Sequence, residues 1–242
     1  MRRRTVLLLL VLAMLGVGAY AGWPRRADLR RFDPAAMARL ETAMWRDYYD
    51  RHYPTLFYHL YELSRTQFGF APLDSVRIAL AAAQAARTFQ PTRLREAANA
   101  ALPDLVAYYR LLASATPDGF DVAEAARLEI DWWQARREKV GPNDYGVTVA
   151  RVTAITYGKR PDDPVIVQSG IGRAEAMAYR DARGQAIDEQ DWLEIEGQLL
   201  RAYQQLKTAV AGGLAAASIK PTASRPGSAS RQQKSPGRCR GL

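Results

Sequence analysis

The chain of 242 residues has one cysteine, Cys239, and two histidines, His52 and His59. A single thiol excludes an intrachain disulfide, a thiolate-rich metal site and covalent haem attachment. The sequence contains no Glu-x-x-His motif, so the ligand set of a di-iron bundle is missing. Phosphate-loop spacing is absent too: "SGIGRAEAMAY" at 169–179 lacks both that spacing and a preceding strand. Ser64, Ser75, Ser114 and Ser169 stand outside any nucleophile-elbow pattern. No clean apolar–polar alternation and no Asn-Gly hairpin signal occur, which argues against the sheet-based classes. The motifs therefore imply no cofactor and no metal. A noncovalent haem or quinone between aromatic helices is the one form of cofactor binding that they leave open.

Acidic residues are scarce at both ends. Residues 1–31 carry seven arginines against Asp28, and residues 220–242 carry six basic residues and no acid. The formal net charge of +9 thus resides in the termini, and 32–219 is mildly acidic, with 21 basic and 24 acidic residues. A nucleic-acid-reading domain would gather Lys and Arg on one face of its fold, so nucleic acid is not an expected partner.

Charge is also absent from Thr5 to Trp23, 19 residues flanked by Arg2, Arg3 and Arg4 and by Arg25 and Arg26. At 1.5 Å per residue that run is about long enough to cross a hydrocarbon core of ~30 Å. Trp23 falls where an interfacial aromatic would sit. Ala19-Tyr20-Ala21 matches a signal-peptidase pattern, so the segment reads as a retained anchor or as a leader cleaved near Ala21. Both readings export the remainder. The expected location is a single-pass inner-membrane protein with its helical domain in the periplasm, although arginines on both flanks pull the orientation in opposite directions.

Helix signals then follow at short intervals. Asp33-Pro34 places an N-cap before proline at the first helical position, opening a helix that runs to about Tyr53 before Pro54 breaks it. Further helices are expected from Pro54 to about Phe68, over 72–89, over 92–114 with a bend at Pro103, and after the Asp121 cap. The β-branched stretch 143–158 permits a strand, but its helical neighbours favour a helix. Asp163-Pro164 opens the next helix, through about Asp181. Asp188 caps the last, where Trp192, Leu199, Tyr203, Leu206 and Val210 share a face. Gly170, Ala174 and Ala178, four apart, would let two helices approach closely. The expected fold is all-α: an irregular bundle of six to eight helices over 32–211, after an N-terminal hydrophobic helix (1–23) and a basic linker (24–31). Residues 212–242, rich in Gly, Ser, Pro and Arg, have the composition of a disordered basic tail.

Two helix starts echo one another. "FDPAAMARLETAMW" at 32–45 and "FDVAEAARLEIDWW" at 120–133 agree at eight of fourteen positions, 88 residues apart. A duplicated helical unit would place Glu41 and Glu129 at equivalent points. Glu129 falls on the apolar side of its helix, where a carboxylate must find a donor or cation or take up a proton. Arg136 or a helix neighbour is the expected basic partner. A second candidate cluster involves "MWRDYYDRHYPTLFYHLYEL" at 44–63, whose Tyr48, His52 and His59 would form a polar seam with Glu41, three residues upstream, on a continuous helix. Seven residues of helix separate the two imidazoles by ~10 Å, too far for one metal ion.

Glu41, Tyr48, His52, His59, Glu129 and Arg136 are the candidate ligand-binding residues, and none is expected to be catalytic. The expected function is a membrane-anchored bacterial envelope protein that binds a protein or envelope component, its basic ends resting on anionic lipid. The alternative is a ligand- or cofactor-binding bundle, or an enzyme, built on Glu41, Glu129 and the histidine seam.

Overall fold

The computed structural model describes residues 2–22 and 26–217. Trp23, Arg25, Cys239 and the tail from 218 onward lie outside them. Among the described residues there are only helices and turns: α1 (Arg2–Gly22), α2 (Pro34–Tyr49), α3 (Tyr53–Thr66), α4 (Pro72–Phe89), a single turn α5 (Arg95–Ala98), α6 (Leu102–Ala113), α7 (Val122–Arg137), α8 (Pro142–Tyr157), α9 (Pro164–Arg183) and α10 (Glu189–Ala217). The fold is all-α, with nine helices after the N-terminal apolar one. Residues 212–217, which composition assigns to the tail, continue α10.

Local chemistry sets most of these boundaries. The Asp33 carboxylate accepts from Ala36 N at 2.8 Å, Asp121 from Glu124 N at 2.9 Å and Asp163 from Val165 N at 2.9 Å, each satisfying amides that the first turn leaves unpaired. Proline follows Asp33 and Asp163 at the first helical position. The stretch 143–158 is helical. It packs against both α7 and α9, and that burial outweighs its β-branched content.

Eight of the helices close into a ring. α2 packs on α3, α3 on α4, α4 on α6, α6 on α7, α7 on α8, α8 on α9, α9 on α10, and α10 returns to α2. The closest crossing is α8 on α9. A Cβ added to Gly170 would lie 2.5 Å from the Gly146 carbonyl oxygen and 2.7 Å from Ala150 Cβ, so only glycine permits that approach. The small-residue spacing at Gly170 and Ala174 has the role expected of it, since Ala174 Cβ in turn faces Gly146.

The described part of the 24–31 linker lies against the ring. Leu29 is buried, Asp28 N donates to Phe68 O at 2.9 Å, and Lys207 Nζ donates to Arg30 O and Phe32 O. α1 stands apart from the core: Thr5–Gly22 has a mean hydropathy of 2.2 and is 0% buried. It is long and apolar enough to cross a membrane, a test that a signal sequence also passes.

Candidate functional site

All eight ring helices contribute to the wall of one central cavity of about 210 Å³ that is partly open to solvent. Most of the wall is apolar, with Met37, Leu60, Ile78, Leu112, Val152 and Leu206 among its residues. Its charged side chains are Glu41 from α2, Glu129 from α7 and Arg173 from α9, joined by the hydroxyls of Tyr108 and Tyr109 from α6, Tyr203 from α10, Ser64 from α3 and Thr153, Thr156 and Tyr157 from α8. The two carboxylates of the repeated motif thus meet at a single cavity.

Their surroundings differ. Glu41, buried, accepts from Arg173 Nη2 at 2.6 Å and from the Tyr203 hydroxyl in a short contact. Glu129 accepts only from neutral donors: Tyr109 Oη at 2.8 Å, Trp132 Nε1 at 2.8 Å and Trp133 Nε1 at 3.0 Å. The two tryptophans lie three and four residues on, within reach over one helical turn. Burial pushes the Glu129 carboxyl above its ordinary pKa. The three donors and the field of Arg173 act against that rise without cancelling it. Burial also raises the hydroxyls of Tyr108, Tyr109 and Tyr203, aided for Tyr109 by Glu129 and for Tyr203 by Glu41. For Arg173 burial acts downward, but Glu41 and Tyr203 outweigh it and hold the guanidinium charged. Arg173 Nε has no hydrogen-bond partner. Glu129 and Arg173 are half-buried, and both border the cavity.

Arg173, Tyr109 and Tyr203 are missing from the sequence-derived candidates, yet a second echo points to both tyrosines. Leu105-x-x-x-Tyr109-x-x-Leu112 and Leu199-x-x-x-Tyr203-x-x-Leu206 share a pattern 94 residues apart, and all six residues are buried. The tyrosine that ends each half of the ring donates to the glutamate that opens the other half. It also packs edge-on against that half's phenylalanine: Tyr203 on Phe32 with centroids 6.1 Å apart, and Tyr109 on Phe120 at 6.2 Å. The two sets of contacts are reciprocal between the two halves of the ring.

The other candidates are brought elsewhere. α2 ends at Tyr49, Arg51 takes a left-handed φ of 60°, and α3 starts at Tyr53, so the continuous helix the seam required is broken. His52 is exposed at the start of α3 and makes no side-chain cap, and Tyr48 is exposed at the end of α2. His59 Nδ1 lies 2.7 Å from Asp47 Oδ2, and neither residue lines the cavity. Arg136 is not the partner of Glu129: it forms a two-pronged pair with Asp181 at 2.9 Å from both Nε and Nη2 and also donates to Tyr49. Among the described residues no group of three His, Cys, Asp or Glu side chains is placed to hold a metal ion.

Glu129 gives the site a testable pH signature. A carboxyl whose pKa is raised in the folded chain favours folding in its protonated form. That contribution is complete below the ordinary carboxylate pKa of ~4.3 and is lost as pH rises through the higher folded value. Urea midpoints measured across this window should fall with rising pH more steeply for the native chain than for Glu129→Gln, which cannot titrate. Parallel profiles would show that Glu129 keeps the same pKa folded and unfolded.

Fold and site define a class: an eight-helix ring around a mainly apolar cavity whose wall holds two carboxylates and one guanidinium. No family model, curated protein or solved structure matches the chain.

Proposed function

We propose that this chain is a non-catalytic binding protein tethered to a membrane by α1, and that the central cavity of the ring is its ligand site. The observation that carries this is the convergence of Glu41, Glu129 and Arg173, from three helices, on one apolar-walled space. Ligand sites are typically apolar hollows with a few placed polar groups. At about 210 Å³ this one would take a molecule somewhat larger than benzene, which fits a cavity of ~150 Å³. Filling it should separate binding from folding. Val152→Phe is expected to keep the helical circular dichroism and to lose any small molecule that native mass spectrometry finds on the purified chain. Retention of that molecule by the filled variant would sink the reading.

The membrane side rests on α1 and on the surface beside it. Arg26, Arg31 and Arg65 surround a depression with Thr66 and Gly69, and among the described residues no acidic side chain lines it. Arg65 reaches Tyr20 of α1 at 3.4 Å, which places the depression at the end of the apolar helix. Gly69, at φ +76°, has Arg31 Nη1 only 3.0 Å from where a Cβ would be, so a side chain there would push Arg31 away. Basic residues near an anionic surface contribute about 1 kcal/mol each. A fragment beginning at residue 24 should therefore bind vesicles containing anionic lipid in a salt-sensitive manner. Replacing Arg26, Arg31 and Arg65 together by glutamine should abolish that binding. Equal binding to purely zwitterionic vesicles would remove lipid charge from the proposal. The tether itself is tested by the intact mass of membrane-extracted protein, which should begin at the N-terminal methionine; a product starting after Ala21 would replace the tether with a cleaved leader.

A further inference from the structure

We propose that the cavity takes a small organic cation, an ammonium group on a short apolar or aromatic body, with Glu129 as its counter-ion and Trp132, Tyr108 and Tyr109 as its aromatic walls. This rests on the cavity being the ligand site and adds the chemical class of its occupant.

Charge balance is the first argument. Glu41 and Arg173 form a direct ion pair and neutralise one another, which leaves the Glu129 carboxylate as the unmatched charge in the cavity wall. A deeply placed carboxylate without a cation is costly, so the cavity is complementary to a ligand of charge +1.

The broken symmetry of the two halves gives the same answer. The offset of 94 residues that carries Tyr109 onto Tyr203 also carries Ser75 onto Ser169, both fully buried, and Ala79 onto Arg173. One half thus supplies an arginine to the glutamate of the other, and the reciprocal position holds alanine. Glu129 retains the tyrosine that Glu41 has, but its remaining partners are Trp132 and Trp133, which donate hydrogen bonds and carry no charge.

The third argument is the character of the walls. An ionised carboxylate offers about four lone-pair positions, and three donors leave one for an incoming ammonium. Trp132, Tyr108 and Tyr109 also border the cavity beside Glu129, and aromatic ring faces attract cations. A carboxylate among such rings favours an ammonium over a neutral or anionic group of equal size.

Three probes of one shape but different charge decide the matter: benzylamine, as benzylammonium at neutral pH, benzyl alcohol and benzoate. Each is titrated calorimetrically into the full chain in neutral detergent, with Val152→Phe as the blank that separates cavity binding from partition into micelles. The expected result is that benzylammonium binds about tenfold or more tighter than benzyl alcohol, that benzoate gives no signal above the blank, and that Glu129→Gln removes the preference. Equal affinity for benzyl alcohol, or a preference for benzoate through Arg173, would overturn the cation assignment and leave the cavity standing as a ligand site. No binding of any probe above the blank would overturn both. The comparison among probes needs only the native chain, so a failure of Glu129→Gln to fold leaves the test intact.

Discussion

Replacing Arg173 with methionine is expected to destabilise the fold by about 3–5 kcal/mol, the usual cost of stranding one member of a buried ion pair. Glu41 has a side-chain exposure of 5%, and its charged partner is Arg173 at 2.6 Å. Without the guanidinium the carboxylate must be held by the Tyr203 hydroxyl alone or take up a proton. The double variant Glu41→Gln with Arg173→Met should recover much of the loss, because exchanging a whole buried pair for neutral groups is often close to neutral. Urea unfolding of the two single variants, the double variant and the native chain, compared as a cycle, measures the coupling directly. Additive single effects would mean that Glu41 and Arg173 do not meet in solution, and the cavity would lose its polar floor.

The second large effect is expected at Gly170. Alanine is favoured over glycine within a helix by about 1 kcal/mol, so Gly170→Ala on an isolated helix would stabilise. In the ring the added methyl would meet the Gly146 carbonyl oxygen at 2.5 Å and the Ala150 backbone nitrogen at 2.7 Å. These neighbours include backbone and cannot swing aside, so α8 and α9 must move apart. Overpacking of this kind costs about 1–3 kcal/mol and occasionally more. The net outcome should be a lower melting temperature, with Gly170→Leu failing to give a cooperative transition. Gly197→Ala in α10 is the control, since a Cβ there meets only the end of the Arg201 side chain at 3.7 Å. A stabilising Gly170→Ala would show that the two helices pack more loosely than the geometry has them.

Asp33, Asp121 and Asp163 announce three helix starts because capping involves only the next few amides, all local in the chain. The F-D-x-A-x-x-A-R-L-E-x-x-x-W echo points to Glu41 and Glu129, and both border the cavity. Tyr109 and Tyr203 were legible in principle from the repeated L-x-x-x-Y-x-x-L pattern. Arg173 was not. It lies in a stretch with no partner pattern of its own and meets Glu41 across 132 positions. Arg136, the nearer arginine in sequence, was directed instead to Asp181 and Tyr49. The histidine seam failed for a local reason: the chain turns at residues 50–52, and a helical wheel has no meaning across a break.

The helical class, most helix boundaries, the apolar run at the N-terminus and the pair of glutamates can be read from the chain alone. Those features depend on interactions within about four residues or on composition summed over a segment. Closure of eight helices on themselves, the meeting of Glu41 and Glu129 at one cavity, and the pairing of Arg173 with the first and not the second emerge only from the folded arrangement. Ring closure depends on which faces fit, as at Gly146 and Gly170, and that complementarity involves residues far apart in the chain. Charge pairing inside the ring follows from that fit.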